Sequence, residues 1–190
     1  MKRLVKKSII TTAEAEKKGI SRSLLHYYVK TAKYERVAKG VYVNKSTTPE
    51  IDFEFEDLVY EVLSIKNGII TGISALAIYE ITEEIPRNFW IAIPNNTSAS
   101  PRTNVRYIRT RNHKLGKTII KIGKVSVPIY DIERTLVDAF KYSSIETAIK
   151  ALKYAFSGDS KNKPDIKKIL GYAKKLRVNI EPYLITVTTV

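Results

Sequence analysis

The sequence predicts an α+β protein of two domains, and three observations support this prediction. Two short helices with capping residues lie near the N-terminus, a β-hairpin directly follows them, and strands mix with helices beyond residue 50. The chain has 190 residues, which is long enough for one large domain or two small ones. Hydrophobic residues make up 44% of the chain, enough to build a buried core and to exclude wholesale disorder.

The first predicted helix begins after Thr11. Thr11 and Glu14 have the spacing of a capping box, in which each side chain accepts a hydrogen bond from a backbone N–H at the helix start. Gly19 suits the left-handed conformation that often ends a helix. Ser21 is then expected to cap a second helix over residues 22–31. Two helices joined by a tight turn that contains glycine are typical of a helix-turn-helix.

The second helix is predicted to have one apolar and one polar face. Leu25, Tyr28 and Val29 follow helical spacing and would point into the core. The polar side chains would then point outward, with donors for base edges and cations for phosphates. Together with the capping serine, they form the predicted DNA-binding set Ser21, Arg22, Ser23, His26, Tyr27 and Lys30.

A short hairpin is predicted directly after these helices. Two β-rich segments flank Ala38-Lys39-Gly40, where glycine can supply the positive φ of a tight turn. A hairpin in this position is the wing of a winged helix-turn-helix, and Arg36 and Lys39 would lie along the DNA backbone. The alternative is a helix pair and a hairpin that only pack together or bind protein. Residues 1–46 contain 12 basic and only three acidic residues, which favours DNA.

Charge along the chain is distributed in blocks. The formal net charge is +14, yet residues 47–86 contain nine acidic residues and one basic residue. Residues 87–125 contain nine basic residues and no acidic ones. Basic blocks attract phosphates over long range, so the expected partner is a polyanion. Solubility of a lysine-rich chain is the alternative explanation.

The second basic block provides another candidate surface, in or near a predicted strand and loop. Its functional interpretations are a contact with nucleic acid, with a nucleotide or with an acidic protein face. The alternative is a solvated sheet edge whose charges prevent aggregation. The candidate residues of this basic face are Arg102, Arg106, Arg109, Arg111, Lys114 and Lys117.

The polar segment from Asn44 to Pro49 is the predicted domain boundary. The sequence therefore predicts a winged helix-turn-helix domain over residues 1–46 and a mixed α/β domain over residues 50–190. A helix over 51–66 opens the second domain.

The second domain continues with strands over 88–93 and 105–109 and a hairpin around Gly123-Lys124. Helical spacing recurs in residues 145–155 and 166–173. We interpret these apolar stripes as core.

No residue pattern predicts an enzyme. The chain has no cysteine and only two histidines, so we expect no metal and no cofactor. Gly68 and Gly72 precede a helix, but the lysine of a phosphate-binding loop is missing. Asp131 and Glu133 are a weak nuclease-like pair without a neighbouring lysine, and Asp131 is better explained as a helix cap. Nuclease activity is kept as a competing hypothesis.

The segments Ile10 to Leu25 and Glu35 to Tyr42 resemble the N-terminal domain of the AbiEi abortive-infection antitoxins. Ser74-Ala75-Leu76-Ala77 and Ile132 to Asp138 resemble signatures of the second AbiEi domain. The resemblance implies an antitoxin of a type IV toxin–antitoxin system for phage defence. Such a protein represses its own operon at inverted repeats and counteracts a nucleotidyltransferase-like toxin without a stable complex.

The resemblance leaves a second hypothesis open. A stand-alone winged-helix regulator, whose second domain binds an effector or dimerises, would have the same N-terminal features. In both cases the partner is double-stranded DNA. No apolar run approaches the ~18 residues of a membrane span, so we expect a cytoplasmic protein that does not bind membranes.

Overall fold

A computed structural model describes residues 7–157 and 163–188 of the chain. Helices and mixed sheets alternate along these residues, which confirms the α+β class. By contacts between Cα atoms the chain divides into two units. Unit 1 contains residues 1–66 and 121–127, and unit 2 contains residues 67–120 and 128–190.

Unit 1 begins with the elements that the sequence predicts for a winged helix. Its helices and hairpin lie within two residues of their predicted bounds, and one short strand before them was not predicted. In chain order the elements are β1 (Ile9–Thr11), α1 (Thr12–Lys17), α2 (Arg22–Lys30), β2 (Tyr34–Ala38) and β3 (Val41–Asn44). The three strands form an antiparallel sheet in the order β1-β3-β2.

Alternation along these strands gives the small sheet two apolar faces. On one face Ile10 and Tyr34 pack with the helices, where Leu25 and Tyr28 complete the cluster. On the other face Ile9, Val41 and Val43 pack against Tyr60. Because neighbouring residues of a strand point to opposite faces, a sheet with apolar residues at both sets of positions must be covered twice.

The second cover is α3 (Glu56–Ser64), which follows a 3₁₀ turn at Phe53–Phe55. The sequence assigned this helix to the second domain, whereas it packs on the small sheet and falls in unit 1. Its apolar side faces the strands, which the polar boundary at residues 44–49 did not indicate.

A second, mixed sheet has five strands in the order β6-β5-β4-β8-β7 and belongs to unit 2 except for residues 121–127, which are counted with unit 1. β4 is antiparallel to β5 and parallel to β8, while β5 and β6 are parallel. The turn between β7 and β8, at Gly123-Lys124, is the predicted hairpin turn. The strands are β4 (Ile69–Ile70), β5 (Phe89–Pro94), β6 (Val105–Thr110), β7 (Lys117–Ile122) and β8 (Val125–Tyr130).

Helices supply the larger core of unit 2. Leu136, Leu152, Ile169 and Leu184 come from four helices and are buried in one apolar cluster. The predicted apolar stripes are core only in part: Ala148, Leu152, Ala155, Ile169 and Ala173 are buried, whereas Ile145, Ile166 and Leu170 are exposed. The helices are α4 (Gly72–Ile78), α5 (Ile132–Tyr142), α6 (Ile145–Phe156), α7 (Ile166–Leu176) and α8 (Glu181–Thr188).

Candidate nucleic-acid interface

The caps of α1 and α2 fix the angle between these two helices. Thr11 and Glu14 form the predicted capping box, and the Ser21 hydroxyl accepts a hydrogen bond from the Leu24 N–H at 3.2 Å. Gly19 has φ +73°, the left-handed conformation that the turn requires. The Ile20 N–H then donates to the Ala15 carbonyl at 2.9 Å, so the turn is closed by backbone bonds.

Burial of Leu25 and Tyr28 sets the rotation of α2. The opposite side of the helix is consequently open to solvent, in the orientation predicted for a recognition helix. Together with the N-cap, it offers two hydroxyls, an imidazole, a phenol and two cations within ten residues. All six side chains predicted to bind DNA from this region are exposed: Ser21, Arg22, Ser23, His26, Tyr27 and Lys30.

The hairpin of β2 and β3 is attached to the start of α1. The carbonyl of Gly40 accepts a hydrogen bond from the Thr12 N–H at 2.8 Å and another from the Thr12 hydroxyl at 3.3 Å. A register shift between Arg36 and Ala38 bends the outer strand just before the turn. Arg36 and Lys39 are both exposed, so their cations are open to a phosphate backbone.

Arg22 has a partner that the sequence did not reveal. Its Nε donates to Glu16 Oε1 at 2.9 Å, and the two side chains are 81% and 47% exposed. An exposed ion pair of this kind contributes only ~0–1 kcal/mol, so DNA can replace Glu16 as the partner. Glu16 lies on α1, six positions before Arg22. Because the two residues are on different helices, helical spacing does not predict this contact.

The basic face predicted in unit 2 is divided by the sheet. Arg106 and Arg109 lie on β6 at one edge, whereas Lys117 begins β7 at the opposite edge. Arg111 and Lys114 occupy the connection between these strands. The six residues therefore do not form one continuous stripe.

Some of these arginines are held by the protein itself. The Arg106 guanidinium stacks on the Trp90 ring at 3.9 Å and donates to the Tyr142 carbonyl at 3.4 Å. Arg109 donates to the Thr97 carbonyl, and Arg102 is half-buried with a partner of its own. Among the described residues, no hydrogen bond or ion pair occupies the side chains of Arg111, Lys114 or Lys117.

A lysine that the sequence did not indicate lies beside the carboxylates of Asp131 and Glu133. Lys168 Nζ lies 3.1 Å from Asp131 Oδ2 and 2.8 Å from Glu133 Oε2. Burial lowers the pKa of Lys168, but hydrogen bonds to the two carboxylates outweigh this and raise it above its usual range. The ammonium bridges the two carboxylates, and Asp131 caps α5 by accepting from the Arg134 N–H at 2.9 Å. This geometry favours a network that ties α7 to α5.

The glycines before α4 also have a structural explanation. Gly72 has φ +54°, and a Cβ placed on it would come within 2.2 Å of Trp90 Cε3. Glycine is required because the indole ring covers this position and the backbone is left-handed. This supports the interpretation as a helix entry turn.

Residues 7–157 and 163–188 contain neither a candidate membrane-spanning helix nor a cluster of potential metal ligands. No helix there has both the length and the apolar character needed to cross a membrane. No three His, Cys, Asp or Glu side chains lie together in this part of the chain as a metal ion would require.

One comparison with known proteins bears on unit 1. The family model for AbiEi antitoxins, described as transcriptional regulators, matches residues 2–45. No curated protein gives a significant match. The matched segment contains α1, α2 and the hairpin with the exposed cations described above. The resemblance found in the sequence is thus confirmed over these residues: segment 2–45 is similar to the AbiEi antitoxin family of transcriptional regulators.

Proposed function

We propose that the protein represses its own toxin–antitoxin operon by binding promoter inverted repeats through unit 1. One observation carries this proposal: the exposed side of α2 and the adjacent hairpin together present Arg22, Lys30, Arg36 and Lys39. A recognition helix that reads base edges and a wing that holds phosphates require this combination. The match of residues 2–45 to a family of transcriptional regulators supports it.

An inverted repeat requires two copies of the chain, since each chain supplies one α2. Two recognition helices on one face of DNA enter major grooves about 34–36 Å apart, one helical turn. We therefore propose one chain on each half-site, with half-sites separated by one turn or a whole multiple of it.

The antitoxin role is the second part of the proposal. We propose that unit 2 counteracts a nucleotidyltransferase-like toxin without forming a stable complex, in a type IV system for phage defence. The alternative is a stand-alone regulator whose unit 2 binds an effector or dimerises. The neighbouring gene discriminates between the two: a nucleotidyltransferase-like neighbour supports the antitoxin, and its absence supports the regulator.

Fluorescence anisotropy with a promoter fragment and a scrambled fragment tests operator binding. We expect Arg22→Ala to cost ~1–3 kcal/mol on the promoter and to reduce the preference over scrambled DNA. Lys39→Ala should weaken both DNAs alike and reduce the slope of log affinity against log salt by about 1, because a phosphate contact is lost.

Lys150→Ala is the matched control, since it removes one exposed cation from α6 in unit 2. It should leave binding to both DNAs unchanged. Equal losses for Arg22→Ala and Lys39→Ala on the two DNAs would contradict the assigned roles. Binding without preference for the promoter would contradict the proposal itself.

A further inference from the structure

A cleft of about 510 Å³ lies within unit 2, at the end of β6. The connection after β6 forms one wall, and the C-terminal ends of α5 and α7 form the others. Its lining thus comes from segments far apart in sequence. Pockets of ~300–1,000 Å³ are the size that small organic ligands occupy.

The lining of this cleft is strongly basic. Five cations and no carboxylate line it, and all five belong to unit 2. Their mutual repulsion is unfavourable unless an anion is present to reduce it. The cations are Arg109, Arg111, Lys141, Lys175 and Arg177.

Two of these cations already bind backbone carbonyls. Lys141 Nζ donates to the Leu176 carbonyl at 3.1 Å, and Arg109 donates to the Thr97 carbonyl. Cations near the C-terminal end of a helix also offset its partial negative charge. Part of the positive charge is therefore explained by the fold.

The other three cations bind no carbonyl of the described residues, although Lys175 and Arg177 lie at the C-terminal end of α7 and offset part of its negative charge. Among residues 7–157 and 163–188, no hydrogen bond or ion pair occupies the side chains of Arg111, Lys175 or Arg177. A guanidinium has five N–H donors and an ammonium has three, so the cleft has many unused donors at one place. Arginine in particular binds phosphate oxygens in a bidentate way.

The uncharged lining provides features that a phosphate alone does not need. The ring of Tyr142 is half-buried in the wall, and burial raises the pKa of its phenol, so the ring is neutral. Asn95 and Asn112 add amide groups that both donate and accept hydrogen bonds. An aromatic ring beside cations is the combination that binds a base and its phosphates.

We propose that this cleft binds a nucleoside triphosphate, with the phosphate chain on Arg111, Lys175 and Arg177 and the base beside Tyr142. Duplex DNA is less suitable, because each strand carries one phosphate per ~3.4 Å of helix axis and this regular array requires an extended surface. Here the cations converge on one concavity. This site does not depend on operator binding by unit 1.

Isothermal titration of the full-length protein with ATP, GTP, AMP and tripolyphosphate tests the proposal. We expect saturable binding of both triphosphates, at least tenfold tighter than AMP. Arg111→Gln should weaken triphosphate binding at least tenfold. Arg177→Asn should do the same while preserving the local backbone, because Arg177 has φ +56° and asparagine tolerates that conformation.

Tyr142→Leu separates the base from the phosphates. It should weaken ATP binding at least threefold while leaving tripolyphosphate binding unchanged. Lys153→Gln is the matched control, since this exposed cation of α6 does not line the cleft. Thermal melting of each variant must match that of the unsubstituted protein.

Three outcomes would overturn the proposal. The first is the absence of saturable triphosphate binding. The second is an affinity for tripolyphosphate equal to that for ATP, together with an ATP affinity that Tyr142→Leu does not change. This result would indicate a site for phosphate only. The third is random duplex DNA that competes for the cleft and depends on Arg111 and Arg177 more than ATP does. None of these measurements uses the promoter, so failure here is distinguishable from failure of the proposed repression.

Discussion

At the scale of single residues, Arg134 and Asp138 form an ion pair with both side chains fully buried. Arg134 Nε donates to Asp138 Oδ1 at 2.9 Å, and the Thr71 hydroxyl donates to Asp138 Oδ2 at 3.0 Å. Arg134 Nη1 donates to the carbonyls of Asn112 and Leu115, each at 3.1 Å. The sequence predicts the pair from its spacing of four residues. The burial of this pair depends on the loop between β6 and β7, whose carbonyls Arg134 binds.

Removing one member of this pair should destabilise the protein strongly. Arg134→Met leaves the Asp138 carboxylate buried without its cation, so we expect a loss of ~3–5 kcal/mol in the free energy of unfolding. Arg134→Met with Asp138→Leu should recover part of that loss, because no uncompensated charge stays buried. Urea unfolding measures both variants.

The exposed pair of Lys150 and Glu146 provides the control for this measurement. Lys150→Met should leave the unfolding midpoint unchanged. A single variant Arg134→Met as stable as the control would refute the argument that this buried pair holds the loop and α5 together.

At the scale of elements, the winged-helix segment depends on α3 to cover one face of its sheet. The small sheet has apolar residues on both faces, and α3 covers the face that α1 and α2 do not. Tyr60 lies in this second cluster, 7% exposed, and its hydroxyl donates to Glu56 Oε1 at 2.6 Å. Residues 1–46 alone would leave that face of the sheet open to water.

We therefore expect Tyr60→Ala to destabilise the protein by ~3–5 kcal/mol, as removal of a buried aromatic ring does. Promoter binding should weaken as well, although α3 carries none of the residues predicted to contact DNA, because the sheet behind the hairpin loses its support. Tyr60→Phe keeps the ring and removes only the hydroxyl, so it should retain promoter binding. Thermal melting and anisotropy test both variants, and normal melting of Tyr60→Ala would contradict this role of α3.

At the scale of the whole molecule, we expect operator repression by unit 1 and toxin neutralisation by unit 2 to be separable, and this must be tested in the full-length chain. A fragment of residues 50–190 would contain α3 without the sheet that α3 covers. Substitutions are therefore preferable to truncation. Arg102 and Arg106 are poor targets, because the fold itself holds their side chains.

Two sets of substitutions separate the activities. Arg22→Ala with Lys39→Ala should abolish repression of a promoter–reporter fusion and still rescue cells from the toxin. Arg111→Gln, Lys114→Gln and Lys117→Gln together should do the reverse, because these cations are exposed and have no partner among the described residues. Reporter activity and survival on co-expression with the toxin measure the two effects.

Matched melting temperatures are required for both sets of substitutions. Full rescue by the triple variant would leave solubility as the role of these three charges. Loss of rescue in the Arg22 and Lys39 variant would instead link toxin neutralisation to DNA binding.

Local sequence rules were sufficient for much of unit 1. The capping box at Thr11, the serine cap at Ser21, and the glycines at 19 and 40 act within a few residues of their own positions. Short-range hydrogen bonds and backbone sterics therefore determine α1, α2 and the hairpin. The rotation of α2 also follows from sequence, since helical spacing places its apolar residues on one side.

The features that depend on contacts between distant parts of the chain could be seen only in the tertiary structure. The two-residue strand β4 is too short for any periodicity to reveal, and it exists because β5 and β8 pair with it on either side. Lys168 reaches Asp131 across 37 positions, and the cleft joins Arg111 to Arg177 across 66. Spacing rules apply only to residues a few positions apart. The packing of helices against the sheet determines which distant charged residues come together. The sequence by itself determined α1, α2, the hairpin and the exposed side of α2, and the packing of the elements determined the cleft.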